Sequence, residues 1–223
     1  MTTSGSLYQA RDFIEAQIYE WQRGKKKPQP KPIVTITRLP GSGGEAIAEK
    51  LAAALKMQLY SWEIVEEIAK NAHVSTKVVA TLDEKSHSEL KEWLADFKHD
   101  KGLSSYTYLQ TLKRILFTIA VHGNVVIIGR GGNFFLPTHK RLGLYLVAPL
   151  DVRIKRVMKE LALSQEDALE HIARVESQQR RFVKKYTGKE IRDLSNYHLA
   201  INTDQVKPQA IIQLVKGMID ASF

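Results

Sequence analysis

The sequence predicts an α/β fold in which a mostly parallel sheet is covered by helices on both faces. Short β-branched apolar runs alternate with longer stretches of helical periodicity along most of the 223 residues. A glycine cluster follows the first of these runs and leads directly into a helical stretch. Strands that alternate with helices indicate crossover connections and a parallel sheet. Ligands of such sheets bind at the carboxyl ends of the strands.

Four apolar runs are predicted as strands, because near-continuous aliphatic runs suit strands that are buried on both faces. They cover residues 33–37, 125–128, 144–147 and, with the weakest pattern, 198–202. Apolar residues at three- and four-residue intervals predict the helices around them. These helices span residues 45–56, 61–71, 103–122, 150–161, 164–185 and 207–221.

The segment before the first strand is predicted to be a helix over residues 6–23, followed by a basic, proline-rich linker. Prolines end helices, so we divide the chain into residues 1–31 and a main domain of residues 32–223. Residues 61–122 contain no convincing strand, which predicts a helical insertion in that domain. The N-terminal helix is expected to pack on the domain or to join two copies of the chain as a homodimer.

The amino-acid composition excludes several classes of protein. The chain has no cysteine and no run of 18 apolar residues, which excludes disulfides and predicts no membrane helix. The first residues lack a signal-peptide pattern, so a cytoplasmic location is expected. A net charge of +9 favours an anionic partner. Nucleic acid is not the expected one, because the aromatic residues do not interleave with the basic ones and no nucleic-acid motif is present.

The glycine cluster after the first strand is a candidate phosphate-binding loop. Gly41, Ser42, Gly43 and Gly44 follow the strand and precede a helix, where backbone N–H groups and the helix N-terminus can surround an anion. The cluster departs from G-x-x-x-x-G-K-[ST], because Gly44 fills the lysine position and Glu45 fills the Ser/Thr position. From the residues alone, a phosphate cradle and a plain strand–turn–helix junction both stay open.

Residues 35–55, TITRLPGSGGEAIAEKLAAAL, resemble the opening of the cytidylate kinase-like family, a branch of the P-loop nucleoside monophosphate kinases. That branch commonly shows S-R-x-x-G-S-G-G before an amphipathic helix, so it already lacks the usual lysine. Further elements resemble the family in the same order and cover about residues 33–220. They are Tyr60–Val65, Asp83-Glu84-Lys85, Val126–Gly131, Leu146–Pro149 with Arg153 and Arg156 after it, Tyr186-Thr187-Gly188, and Ile201–Asp204.

The resemblance implies a P-loop NTPase three-layer fold with a five-stranded parallel sheet. It also implies a monophosphate-binding insertion at residues 61–122 and an arginine-bearing lid at residues 164–192. The implied cofactors are ATP and Mg²⁺, and the implied reaction is phosphoryl transfer to CMP or a similar nucleotide. Two departures bear on activity. Glu45 stands where the family often has arginine, and residues 176–179, E-S-Q-Q, stand where D-x-x-R is expected.

Phosphoryl transfer depends on positioned cations around the transferring group, and arginine binds phosphate oxygens through two N–H groups at once. The catalytic candidates are Arg38, Arg130 and Arg180. The candidates for binding the nucleotide cofactor are Gly41, Ser42, Gly43, Gly44, Arg156 and Thr203, and those for binding the substrate are Arg130, Asp83 and Arg174. The seven histidines show no metal-ligand spacing, so no protein metal site is predicted. Each candidate also has a structural alternative: an ion pair for Arg38, a turn cap for Asp83 and a solvated helix face for Arg174 and Arg180.

Three functions are compatible with these residues. The first is a nucleoside monophosphate kinase-like phosphotransferase. The second is a catalytically degenerate nucleotide-binding or regulatory protein on the same fold, which Gly44 and Glu45 favour. The third, nucleic-acid binding, rests only on net charge and the lysine run at residues 25–27. Activity gained by Gly44→Lys with Glu45→Thr would indicate a degenerate loop.

Overall fold

The computed structural model describes residues 4–23, 32–95, 103–129 and 131–222. These residues form two compact units. We call residues 32–62 and 124–222 the sheet unit, and residues 4–23 and 63–123 the helical unit. In the described ranges, the helices are α1 Ser4–Arg23, α2 Gly44–Leu55, α3 Trp62–Lys70, α4 Ala72–Val79, α5 Glu84–Ala95, α6 Leu103–His122, α7 Gly132–Phe135, α8 Leu150–Leu161, α9 Gln165–Thr187 and α10 Pro208–Ser222.

The sheet unit contains five parallel strands, which confirms the predicted α/β fold. The strands are β1 Ile33–Arg38, β2 Gln58–Ser61, β3 Val125–Ile128, β4 Leu142–Val147 and β5 Leu199–Asn202. Their order across the sheet is β2-β3-β1-β4-β5. The central strand β1 pairs with β3 on one side and β4 on the other, so the residues that follow β1 emerge at the middle of the carboxyl edge.

One face of the sheet packs on α2 and α10 through a single apolar cluster. Leu51 of α2 and Ile211 and Val215 of α10 are fully buried there, together with strand residues such as Val34 and Val126. Each buried aliphatic side chain of this kind stabilises the fold by about 1.5–3 kcal/mol. On the sheet, α7 contacts β1, and α9 contacts both α7 and α8. The cluster fixes α2, and with it the loop that enters α2.

The helical unit consists of α1 together with α4, α5, α6 and most of α3. Trp21 of α1 stacks on His122 of α6, with ring centroids 4.2 Å apart. Ile14 and Ile18, one turn apart on the predicted apolar face of α1, are both buried. In the described part of residues 61–122, β2 ends at Ser61 and helices α3 to α6 follow with short connections. A separate monophosphate-binding insertion stays a prediction. Homodimer formation through α1 stays a prediction.

Three differences from the sequence-based predictions have physical causes. Strand β4 begins at Leu142 rather than residue 144, because Leu142 and Gly143 already pair with β1. The short helix α7 follows Gly131, where only a strand end was predicted. Its Asn133 is buried and accepts hydrogen bonds from Thr35 and Arg141, so α7 depends on contacts that are distant in sequence. Helices α4 and α5 were not predicted individually.

Candidate functional site

The loop between β1 and α2 contains two glycines in left-handed conformation. Gly41 has φ 75° and Gly43 has φ 74°, a region that other residues enter only with strain. A Cβ atom at Gly41 would also lie 2.6 Å from the carbonyl oxygen of Arg153. The sequence therefore folds into this tight loop only with glycine at these positions, and α8 supports the loop from one side.

The N-terminus of α2 carries backbone donors that the protein itself does not use. The Ser42 N–H donates to the Leu39 carbonyl, and the Ile47 N–H donates to the Gly43 carbonyl. Among the described residues, the N–H groups of residues 43–46 have no backbone acceptor, and Gly43 provides no side-chain cap. The hydroxyl of Ser42 is fully buried and likewise finds no partner in the described part of the chain. Such a helix N-terminus carries partial positive charge and favours anions.

Arg38 ends β1 and lies along the start of α2. Its Nε donates to Oε1 of Glu45 at 2.8 Å, and its Nη2 contacts the same oxygen. The Arg38 stem occupies the space above Gly44, where a Cβ atom would be 2.7 Å from the Arg38 Cβ. Arg38 is 20% exposed and Glu45 is 57% exposed. Glu45, which stands where the family often has arginine, is therefore paired with Arg38, the arginine predicted to contact phosphate.

Thr203, directly after β5, holds the loop from the opposite side. Its hydroxyl donates to the Ser42 carbonyl at 2.6 Å and accepts from Nη1 of Arg156 at 3.2 Å. The same Nη1 would lie 3.8 Å from a Cβ at Gly43. Arg156 therefore places its charge next to the loop, and Thr203 fixes a carbonyl that the first turn of α2 leaves unpaired.

A series of charged side chains links the loop to helix α9. Arg153 is buried and donates from Nη1 to the Pro40 carbonyl at 3.3 Å and to Oε1 of Glu176 at 2.6 Å. The other carboxylate oxygen of Glu176 accepts from Nη2 of Arg192. Because charge-assisted hydrogen bonds are the strong ones, the loop, α8, α9 and the segment after α9 are held together at this point.

A small cleft lies where these elements meet. Its lining includes Arg38, Tyr145, Glu176, Gln179, Arg180 and Arg192. Three of these side chains are positive and one is negative, so the cleft has a net charge of +2 before the Arg38–Glu45 pair is considered. Burial raises the pKa of Tyr145, so this hydroxyl stays protonated at neutral pH. The net positive charge of this lining attracts anions.

The predicted site residues divide into three groups. The sheet unit brings together Gly41, Ser42, Gly43 and Gly44 of the loop with Arg38, Arg156, Arg180 and Thr203. Arg174 lies on the exposed side of α9, with its guanidinium 3.3 Å from Nδ1 of His171. Asp83 lies in the helical unit, where its carboxylate accepts from the Ser86 N–H at the start of α5. Arg130 is outside the described residues.

Arg192 was missed by the sequence analysis. It stands in the irregular segment after α9, where no periodicity or motif distinguishes it from the other basic residues. Glu176 and Gln179 were noted only as departures from an expected pattern. Glu176 could have been identified from its position three residues before Gln179, because residues three apart on a helix lie on the same face.

The segment that carries Arg192 is fixed to the sheet by a buried polar group. Arg141 is 3% exposed and donates to Oδ1 of Asn133 at 2.6 Å and to the carbonyls of Leu136 and Asn196. Burial lowers the pKa of Arg141 to about 10, so the residue stays charged at neutral pH. Tyr197 donates to the Ile191 carbonyl at 2.7 Å. Residues 191–197 are therefore held at several points.

Among the described residues, no three His, Asp or Glu side chains gather to hold a metal ion. No helix in the described ranges combines the length and apolar character needed to span a membrane.

Comparison with known proteins identifies the family of this chain. The family model of the cytidylate kinase-like family matches residues 33–205. The chain is 31% identical to the cytidylate kinase of Ignicoccus hospitalis, over 84% of this chain and 98% of that protein. It is 30% identical to the cytidylate kinase of Pyrococcus horikoshii, over 86% of this chain and 91% of that protein. The solved structure of an uncharacterized protein from Eubacterium ventriosum has the same fold, with a TM-score of 0.58, 20% identity and coverage of 85% and 99%. This chain belongs to the cytidylate kinase-like family.

Proposed function

We propose that this protein transfers a phosphoryl group from ATP to a nucleoside monophosphate, with CMP as the first candidate acceptor. The observation that carries the proposal is the loop at the centre of the sheet edge, whose open N–H groups at residues 43–46 are flanked by arginines. The choice of CMP follows the cytidylate kinase relatives, whose sequences align with most of this chain.

The reaction needs no covalent intermediate on the protein. An oxygen of the acceptor monophosphate forms a bond to the γ-phosphorus of ATP, and the bond to the β-γ bridging oxygen breaks. The products are ADP and a nucleoside diphosphate. Catalysis of such a transfer consists of positioning the two phosphates and stabilising the charge on the transferring group. Both tasks can be done by backbone donors and arginines.

Two observations support binding of the donor nucleotide at the loop. The N–H groups at the start of α2 lack backbone acceptors, and the Ser42 hydroxyl is a buried donor without a partner in the described part of the chain. An unsatisfied buried donor costs about 1–3 kcal/mol, which a phosphate oxygen brought close to the loop would offset. Arg156, beside Gly43, would contact the phosphates of the donor nucleotide. No lysine is present at position 44, so arginines supply the positive charge.

Magnesium would enter with the nucleotide. Mg²⁺ usually binds through substrate phosphates and few protein carboxylates. The ion would neutralise phosphate charge when it is bound. The carboxylate nearest to the loop, Glu45, is paired with Arg38 and is therefore not proposed as a ligand.

For the acceptor, Arg130, Asp83 and Arg174 stay proposals from the family resemblance. Arg130 follows β3, whose carboxyl end lies beside that of β1 in the sheet. That position supports a contact between Arg130 and the acceptor phosphate, because ligands of parallel sheets bind at this edge.

The test is a direct product assay. The purified protein is incubated with ATP, MgCl₂ and, separately, CMP, dCMP, UMP, AMP and GMP, and nucleoside diphosphates are resolved by anion-exchange chromatography. Formation of CDP with equal ADP is the expected result. An Arg38→Ala preparation purified in the same way is the matched control, because a contaminating host kinase would give the same rate in both.

Two results would contradict the proposal. No diphosphate with any acceptor, at ATP concentrations that calorimetry finds saturating, would leave a nucleotide-binding protein without transferase activity. Equal rates for the wild type and Arg38→Ala would assign the turnover to a contaminant.

A further inference from the structure

We propose that Arg192 contacts the transferring phosphoryl group from the lid side of the cleft, and that Glu176 is the positioning residue that holds Arg192 there. The inference rests on the proposed phosphoryl transfer and adds to it a residue outside the lid helix. It starts from the position that Gln179 occupies on α9.

Gln179 cannot supply positive charge. It lies one turn after Glu176 on the same face of α9, is 6% exposed and lines the cleft. The family resemblance implies the arginine of D-x-x-R at this position, where this chain has glutamine. A neutral amide stabilises developing phosphoryl charge less than a guanidinium does. Positive charge in place of that arginine must come from another residue of the cleft lining.

Arg192 provides that cation from the segment after α9. Its side chain lines the same cleft as Gln179 and Arg38. Its Nη2 binds Glu176, while 58% of the side chain remains exposed. A guanidinium has five N–H donors, so an anchor at one nitrogen leaves the others available to an anion in the cleft.

The anchor itself is rigid. Glu176 is 14% exposed, and its second oxygen is held by the buried Arg153, which in turn binds the Pro40 carbonyl of the phosphate loop. Arg192 is therefore tied to the phosphate loop through two side chains. Ile191, its neighbour, is buried, and Tyr197 fixes the Ile191 carbonyl. A contact that is positioned before the substrate binds costs little reorganisation during the reaction.

Arg180 is a weaker candidate for the same role. It lines the cleft, but its side chain is exposed, and no hydrogen bond or ion pair fixes its guanidinium within the described residues. A residue that must be ordered on binding contributes less, because side-chain entropy opposes the contact. Arg180 is therefore expected to attract the nucleotide, whereas Arg192 is expected to touch the phosphoryl group.

The test compares Arg192→Ala and Arg192→Lys with the control Lys189→Ala, which removes an exposed charge from the same segment. Steady-state kinetics with ATP and CMP should give a kcat about 100-fold to 1,000-fold lower for Arg192→Ala, as for other lost transition-state donors, with KM changed less than threefold. Arg192→Lys should recover part of kcat, and Lys189→Ala should match the wild type.

Glu176 is tested by a double-mutant cycle. Glu176→Gln should lower kcat by a clearly larger factor in the wild-type background than in the Arg192→Ala background, because part of its effect acts through Arg192 and the rest through Arg153. A merely structural role would lower kcat by the same factor in both. Thermal melting of each variant shows that the compared proteins are folded.

The outcomes separate this inference from the proposed function. If the wild type turns over and the kcat of Arg192→Ala lies within threefold of the wild-type kcat, the inference is overturned. The proposed transferase activity then still stands. If the wild type does not turn over, calorimetry with inorganic tripolyphosphate decides. At least tenfold weaker binding by Arg192→Ala but not by Lys189→Ala supports the contact, and equal binding by all three overturns it.

Discussion

The side chain of Arg38 covers Gly44 so closely that a Cβ atom at position 44 would lie 2.7 Å from the Arg38 Cβ and 2.8 Å from its Cγ. Both of these atoms belong to the stem of the arginine, which is fixed at its far end by Glu45. The position where other P-loops have lysine is therefore filled by an arginine that comes from the preceding strand. The glycine is a requirement of this packing.

This packing predicts that Gly44→Ala destabilises the protein. Overpacking of a close contact costs about 1–3 kcal/mol, and ATP affinity should fall because the loop must shift. The matched control is Gly217→Ala in α10, where a Cβ meets nothing within 4 Å. That substitution should stabilise by about 0.5–1 kcal/mol, since glycine in a helix interior is unfavourable. Urea unfolding measures both, and equal effects of the two substitutions would contradict the prediction.

The same contact limits what the variant Gly44→Lys with Glu45→Thr can show. Activity gained by this variant would indicate a degenerate loop. The structure leaves no space for a lysine stem while Arg38 is present, and Glu45→Thr would remove the Arg38 ion pair. Loss of activity in that double variant would therefore say nothing about degeneration.

Glu45→Gln is predicted to strengthen ATP binding several-fold. The substitution removes a negative charge from the start of α2 and releases Arg38 to contact phosphate. Stability should change by less than about 1 kcal/mol, because the pair is surface-exposed and the carboxylate interacts only modestly with the helix dipole. Calorimetry with ATP measures the affinity.

Glu49→Gln is the control for this prediction, because Glu49 is an exposed residue one turn further along α2. Weaker ATP binding by Glu45→Gln would indicate instead that the carboxylate orients Arg38 for the nucleotide. Equal gains in both variants would mean that only the overall charge of α2 matters.

The parts of the site that follow local rules could be predicted from the sequence. Gly41 and Gly43 follow a β-branched strand and precede a helix, which identifies a tight loop without reference to the rest of the chain. Arg38 and Glu45 were visible as charges, but their pairing was not, since residues seven apart across a turn have no fixed geometry. Glu45 was therefore read as an obstacle to phosphate.

Other parts of the site depend on tertiary contacts and could not be predicted. Arg192 reaches the cleft because Glu176, 16 residues earlier, binds it, and Glu176 is held in turn by Arg153. Neither pairing has a local sequence signal. The short helix α7 likewise depends on Asn133, which is buried against Arg141 and Thr35. In the fold, four of the five strands of the sheet and most of the long helices were found by periodicity, whereas β2, α5 and these short elements were not.

Thr203→Val is predicted to lower nucleotide affinity more than it lowers stability. The hydroxyl that donates to the Ser42 carbonyl at 2.6 Å would be lost, together with the acceptor for Arg156. An unpaired carbonyl costs about 1–3 kcal/mol, and a loop without this hydrogen bond should bind ATP with a KM raised at least fivefold. Thr203→Ser keeps the hydroxyl and should behave as the wild type. A Thr203→Val variant with an unchanged KM for ATP would show that the hydrogen bond from Thr203 to Ser42 does not shape the loop.

The buried Lys113 of the helical unit is expected to make the free energy of unfolding depend on pH. Lys113 is 2% exposed, and burial lowers its pKa from 10.5 to about 8. Between these values the unfolded chain binds a proton at this residue that the folded chain does not, so the free energy of unfolding rises with pH. Below pH 8 both states are protonated and the slope disappears. Relative to a Lys113→Met variant, the wild type should gain up to about 1.4 kcal/mol per pH unit in this window.

Urea unfolding of the wild type and Lys113→Met at pH 7, 8, 9 and 10 measures this difference, in which the titration of other groups cancels. Lys91→Met, which replaces an exposed lysine of α5, is the control for the loss of one lysine from the chain. A difference between wild type and Lys113→Met that stays constant from pH 8 to pH 10 would mean that the folded protein keeps Lys113 charged. In that case the helical unit must stabilise the ammonium group by hydrogen bonds that compensate its burial.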